Sequence, residues 1–275
     1  MTGSVMTFQK DGAKVWRNEV GKIHRDDGPA VIQTDGQQEW FQNDCRHRTD
    51  APAIVEADGA EHWYHEGCRH RLDGPAVTHL NGAEFWYVLG QRHRLDGPAV
   101  TYSDGGKEWY RDDQLHRLDG PAVESADGKK EWRMCGKLHR EDGPAIEHAD
   151  GTKEWWQYDQ RHRADGPAII NADGMQQWWR NGLHHRDDGP ATLCRDGSFV
   201  WYKDGERHRE DGPAIAWPDG TKEYWLHGKK WPEGEEICRQ RRGDEAVKAM
   251  QEACAKSPVT AAPRAVFRTK KGVTP

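Results

Sequence analysis

The constraint that dominates this chain is a heptapeptide, His-Arg-x-Asp-Gly-Pro-Ala. It begins at His24-Arg25-Asp26-Asp27-Gly28-Pro29-Ala30 and returns every 23 residues through His208-Arg209, nine times without insertion or deletion. Only the second copy departs from its Asp-Gly-Pro-Ala part, reading Asp50-Ala51-Pro52-Ala53. Fixed-period self-similarity of this size specifies a repeat architecture, in which each unit buries its apolar face against its neighbours. Function must then be sought in what an array presents.

Each copy carries the same local signals. The residue after Ala is β-branched in all nine copies, from Val31 to Ile215, which favours a pleated strand. An Asp-Gly turn follows, with Asn81-Gly82 the only variant, and then an aromatic pair such as Trp40-Phe41, Trp63-Tyr64 or Trp178-Trp179. A second turn, Gly or Asp, leads to the next His-Arg. Asp-Gly and Asn-Gly tolerate the positive φ of tight hairpins. The chain is therefore predicted to be all-β: an elongated array of consecutive antiparallel β-hairpins in one twisted meander sheet. With copies two strand spacings, about 9.5 Å, apart, nine would extend roughly 85 Å. A β-helix with one repeat per rung is the competing layout. It would bring Cys45 and Cys68 within disulfide reach, which the meander forbids.

Composition agrees with a thin body. Only 35% of residues are hydrophobic and 31% are charged, yet there are 14 Trp, so Trp and Tyr are expected to supply most of the buried area. Residues 1–23 read as an N-terminal tail and a capping half-repeat, with Met1 to Thr7 patternless and fraying. Residues 24–232 hold the nine repeats. The next His-Arg position falls on Trp231-Pro232, where the repeat stops. Residues 233–256, acidic at their start and apolar at Ile237, Val247 and Met250, are predicted to form a capping helix over the last hairpin. Residues 257–275 read as a disordered basic tail.

From Lys256 onward there are five basic residues and no acidic one, so of the formal net charge of −6 the preceding residues carry −11. An acidic array argues against a nucleic-acid binder except through that tail. No apolar run reaches the roughly 18 residues of a membrane span, and the N-terminus lacks a signal-peptide pattern, so a cytoplasmic protein is expected. The six cysteines show no Cys-x-x-Cys spacing and are expected to be free thiols.

Trp178-Trp179-Arg180-Asn181-Gly182, with the His and Asp-Gly that follow at fixed distances, resembles the MORN repeat. It is closest to the MORN-variant repeats of bacterial and viral proteins. The resemblance spans about residues 8 to 230. It departs from the family where Arg-x-Asp-Gly-Pro-Ala replaces a simple Gly-x-Gly turn. It implies a scaffold, a protein-binding surface or a lipid-contact module, and no reaction.

The repeated polar residues have two readings. In the first, His24, Arg25, Asp27, His93, Arg94, Asp96, His116, Arg117 and Asp119 belong to a structural ladder. Each guanidinium bridges a carboxylate and the carbonyls of a neighbouring turn, while His stacks on aromatics or meets a carbonyl. In the second, nine Arg and nine His line a face that holds nucleotides or other phosphates, as in a sequestering protein of phage or viral origin. No metal or cofactor is expected: equivalent histidines about 9.5 Å apart cannot share one zinc. Glu39, Glu108, Glu131, Glu154 and Glu223 share one position and are expected to form cross-strand ion pairs, not to catalyse. The breaks in the repeat, Ala51, Arg133 and Trp231, carry no nucleophile, so no enzyme is expected. The position before each Asp-Gly turn varies most. His79, Tyr102, His148, Asn171 and Trp217 there form the candidate binding face, with a protein the expected partner and a phosphate-bearing small ligand the alternative. A third reading makes the body a spacer and the tail from Lys256 the binder.

Overall fold

The structure, a computed structural model, describes residues 4–237, 239–241, 245 and 248. One antiparallel sheet of 20 strands runs from Val5–Phe8 to Lys222–Glu223, each strand pairing with its neighbours in chain order. The fold is the predicted meander. Cys45 and Cys68, which a β-helix would place within bonding reach, are free and exposed.

In the first copy, Val31–Ile32 pairs with Gln38–Glu39 across the Asp-Gly turn, with Val31 opposite Glu39 and Ile32 opposite Gln38. Gly36 N–H donates to Gln33 C=O (3.1 Å), Gly36 has φ 97°, and Gln37 N–H donates to Asp35 Oδ1 (2.9 Å). The Asp side chain thus closes the turn by bonding the amide two residues on. Asn81 does the same for Ala83 at 3.0 Å, which is why Asn is tolerated there.

The strand that carries the aromatic pair is interrupted at its Trp. Gln38–Glu39 belongs to the main sheet, whereas Phe41–Gln42 pairs with Cys45–Arg46 in a separate two-stranded tip hairpin. Trp40 lies between, because its backbone is divided between two partners. Its N–H donates to Ala53 C=O (2.8 Å), and its C=O accepts from His47 N–H (3.1 Å). Each copy therefore holds two hairpins, and the tips form nine small sheets beside the large one. The tip turns need positive φ at both central residues, for example Asn43 (53°) and Asp44 (70°), as in the two-residue hairpin turn that matches strand twist. Where Asp replaces Gly at the second place it has a task of its own. Asp44, Asp113 and Asp159 accept the backbone N–H of Ile23, Arg92 and Leu138 in the preceding unit.

The driest layer of the core is built from small and β-branched side chains. The Ala of each Asp-Gly-Pro-Ala, from Ala30 to Ala214, is 0% exposed in all nine copies, and Val or Ile beside it is buried in most. The Trp residues are only partly buried. A line of Ala and β-branched side chains gives the body its dry centre, and the indoles cover it.

At the N-terminus Val5–Phe8 pairs with Lys14–Arg17, so Val5 to Thr7, predicted to fray, form a strand; Met1 to Gly3 lie outside the described residues. At the other end Trp231 N–H donates to Tyr224 C=O (2.7 Å), the bond that His makes to Trp elsewhere, although both side chains have changed. A short helix starts at residue 234, where buried Gly234 sits against Tyr224 and Trp231; a Cβ there would clash with the Tyr224 side chain. Glu245 and Lys248 are helical. The remainder of the expected capping helix to residue 256, and the basic tail 257–275, lie outside the described residues. No helix among the described residues is long and apolar enough to cross a membrane.

Candidate interaction surfaces

The repeated heptapeptide forms a self-contained loop. Arg25 Nε donates to Asp27 Oδ1 (2.8 Å), Arg25 Nη1 donates to Pro29 C=O (3.2 Å), and the guanidinium lies 4.2 Å from the Trp16 ring centroid. Arg94 repeats this with Asp96 (2.9 Å), Pro98 (3.4 Å) and Trp86 (3.8 Å). Arg117 does so with Asp119 (2.9 Å), Pro121 (3.2 Å) and Trp109 (4.1 Å), and adds Glu124 at 3.2 Å. The carboxylate and carbonyl belong to the arginine's own loop, not to a neighbouring turn. A planar cation over an indole face is attracted by the ring quadrupole. The stacked Arg explains the Gly: a Cβ on Gly97 would lie 2.9 Å from Arg94 Cζ. The bond and charge of each Arg hold Asp27, Asp96 and Asp119 below the usual carboxylate range.

The histidines act in the opposite sense to the carbonyl contact expected of them. In four copies Nδ1 accepts a backbone N–H from the first residue of the next copy's tip turn, as from Glu66 to His47 (3.1 Å) and from Cys135 to His116 (3.1 Å); at His93, His162 and His185 that residue also sets a side-chain oxygen 2.8 Å from the same Nδ1. That donor is a non-glycine residue with positive φ, 48° at Glu66 and 50° at Cys135, so the ring secures a costly backbone conformation. His24 instead places Nε2 3.1 Å from Asp26 Oδ1, its Nδ1 buried without a partner among the described residues, and His139 stacks on Tyr158 at 4.0 Å.

A second row escaped the sequence reading. The residue after Trp and the residue before His pair across each tip hairpin, and along the array they alternate aromatic and cation. Arg46 lies 5.4 Å from the Phe41 centroid and 5.8 Å from Tyr64; Arg69 lies 5.9 Å from Tyr64 and 5.6 Å from Tyr87. Arg161 lies 4.6 Å from Trp156 and 5.2 Å from Trp179, and His184 sits between Trp179 (3.6 Å) and Tyr202 (4.8 Å). In the middle the roles invert: Arg133 takes the aromatic position, and Leu115 and Leu138 take the cationic one. The shared Glu position anchors the row through Glu39–Arg46 (2.9 Å), Glu131–Arg133 (2.7 Å), Glu154–Arg161 (3.3 Å) and Glu223–Lys230 (2.7 Å). Glu108 instead bonds its tyrosines, and burial followed by that bond raises Tyr110 to about 12. The seven-residue spacing from Glu to Arg or Lys at Glu39, Glu154 and Glu223 was the available signal.

The candidate face residues head equivalent Asp-Gly turns, and His79, Tyr102 and His148 meet side chains at the shared Glu position. His79 meets Phe85 (5.6 Å) and His62 (5.9 Å), and Phe85 meets Tyr102 (6.2 Å), giving an aromatic run across two copies. His148 Nε2 lies 2.9 Å from Glu154 Oε1. Asn171 and Trp217 close their own turns through backbone bonds. Tyr102 is 40% and Trp217 38% exposed, so both rings are open to a partner. Among the described residues no three His, Cys, Asp or Glu side chains gather into a group able to hold a metal ion. No family model and no curated protein matches the chain.

Proposed function

We propose that the protein is a non-enzymatic, MORN-like repeat scaffold that binds another protein along one face of its sheet. The observation that carries this reading is the contrast between two positions of the same repeat. The Arg-Asp-Trp set is occupied internally in copy after copy, as in Arg94 with Asp96, Pro98 and Trp86. The heads of the nine Asp-Gly or Asn-Gly turns hold eight residue types in an equivalent place, with Tyr102 and Trp217 open to solvent. Invariant residues engaged with one another build the unit; varied, partly exposed aromatics at equivalent turn heads suit protein recognition. The exposed free thiols Cys45, Cys68 and Cys135 fit a reducing cytoplasmic setting.

The phosphate-binding alternative asks each ladder Arg to leave an indole, a carboxylate and a carbonyl, and so has less support. The test is retention of a partner from the native host by the immobilised chain. The Tyr102→Glu/Trp217→Glu variant is expected to lose that partner without a change in melting temperature, while Arg94→Ala lowers the melting temperature. Undiminished capture by the double variant overturns the reading, and saturable nucleotide binding lost on Arg94→Ala and Arg117→Ala would favour the alternative.

A further inference from the structure

The residue between Arg and Asp in the heptapeptide loop is Asp26, Thr49, Glu141, Ala164, Asp187 or Glu210 in six copies. In the three consecutive copies between them it is Leu72, Leu95 and Leu118. The leucines are 76%, 74% and 76% exposed. They cannot turn inward, because Arg71–Asp73, Arg94–Asp96 and Arg117–Asp119, all at 2.9 Å, lock the residues on either side of each. Three aligned apolar side chains held in water mark an interaction surface. Grooves separate successive loops. Trp109 and Arg111 line the one between Leu95 and Leu118, about 520 Å³, and Trp132 and Met134 line the next, about 660 Å³.

The pitch selects the occupant. Equivalent residues of adjacent copies are two strand spacings apart, about 9.5 Å. A polyproline II helix has three residues per turn and rises about 3.1 Å per residue, so every third side chain returns to the same side after about 9.3 Å. An extended strand repeats on one side at about 6.8 Å, and an α-helix at about 5.4 Å, so neither keeps step with three leucines. Charge then gives the ridge a polarity. One copy beyond Leu118 the same place holds Glu141, an exposed carboxylate 3.9 Å from His139 Nε2, whereas one copy before Leu72 it holds neutral Thr49.

The geometry points to a docking ridge for a proline-rich segment of another protein in polyproline II conformation. That segment carries an apolar residue at every third position over three turns, with Lys or Arg one turn further on over Glu141. Loop leucines and Trp-floored grooves serve as the apolar, aromatic-lined seat that such segments use. The inference does not rest on the sheet-face reading, since these loops and the Asp-Gly turn heads are different parts of each copy.

The full chain would be titrated into fluorescein-labelled peptides and binding followed by anisotropy. One peptide repeats Leu-Pro-Pro three times and ends in Arg; controls of the same composition place Leu at every second or every fourth residue. The three-residue spacing is expected to bind about tenfold more tightly than either control, and Leu95→Glu to weaken it about tenfold with no change in melting temperature. Glu141→Arg is expected to weaken the Arg-ended peptide and leave an Ala-ended one unaffected. Equal affinity at all spacings, no binding by the native chain, or indifference to Leu95→Glu overturns the ridge. Loss of the peptide in the Tyr102→Glu/Trp217→Glu variant would place it on the sheet face and overturn the ridge as well.

Discussion

Arg48 Nε stands 3.7 Å from Asp50 Oδ1, whereas the other eight copies hold the same pair at 2.7–2.9 Å. The second copy alone has Ala51 where the others have Gly, and a Cβ at the equivalent Gly74 would lie 2.7 Å from Arg71 Cζ. The extra methyl displaces the guanidinium from its carboxylate, yet Arg48 keeps its place over Trp40 at 4.2 Å. The chain thus contains its own substitution experiment, and it separates the two halves of the arginine's role: the stack survives, the ion pair stretches.

Gly97→Ala should reproduce that state in the fourth copy. None of these loop glycines has positive φ, so Ala fits the backbone and even restricts the unfolded chain favourably. The contact with Arg94 opposes that gain. A net loss of about 0.5–1 kcal/mol is expected in urea denaturation, since the pair is exposed and surface pairs contribute little. In a double-mutant cycle the coupling of Arg94 to Asp96 should fall towards that of Arg48 to Asp50.

Removing the guanidinium is expected to cost more. Arg94→Ala deletes the 3.8 Å stack on Trp86, the bond to Pro98 C=O and the ion pair together, a loss on the order of 2–3 kcal/mol. Arg94→Lys should recover less than half of this, because an ammonium has neither the plane nor the fork. Near-ultraviolet circular dichroism should report the altered indole. A stability equal to the native chain in either variant would refute a structural role for the ladder.

Much of this design could be read from the residues. The period fixes the number of copies, β-branched residues and Asp-Gly place the main strands and turns, and Trp231-Pro232 marks where the array stops. Less legible was the division of labour inside Trp40-Phe41. Alternation in a strand sends neighbours to opposite faces, so Trp40 stacks on Arg48 while Phe41 faces Arg46. The eight-residue Trp-to-Arg spacing that follows Trp16 and the seven-residue Glu-to-Arg spacing at Glu39 and Glu154 record both rows, but spacing alone does not say which hydrogen bonds break the strand between them. Nor does composition show that Ala, the smallest apolar side chain present, forms the driest layer.

Acid should weaken the array before the carboxylates titrate. His184 replaces Arg in the second row, and burial, then the Arg161 guanidinium, push it from 6.5 down to about 4. Burial also lowers His62 and His116. The unfolded chain takes up these protons near pH 6.5 and the folded chain resists, so stability is full above that pH and falls as pH drops towards 4. His184 alone should account for on the order of 2–3 kcal/mol across that window. His184→Gln should flatten the slope of the urea midpoint between pH 6.5 and 4.5; an unchanged slope would show that the imidazole is not held neutral by its aromatic neighbours.

The inverted middle of the second row offers the sharpest test of its physics. Arg133 and Leu138 pair across their tip hairpin in the places that Phe41 and Arg46 occupy in the first copy. Leu138→Arg alone sets two guanidiniums opposite each other, and does so at a position where Leu138 is 9% exposed, so a loss of about 2 kcal/mol or more is expected. Arg133→Trp alone removes the cation that bonds Glu131 Oε2 at 2.7 Å and Gly136 C=O at 2.8 Å, and should also destabilise. Made together, the two changes restore the aromatic-cation order. They also set the introduced guanidinium seven residues beyond Glu131, the spacing by which Arg46 reaches Glu39. The double variant should therefore recover at least about 1 kcal/mol relative to the sum of the single losses. Strict additivity in that cycle would mean that the alternation along the array is a by-product of strand pairing and contributes no energy of its own.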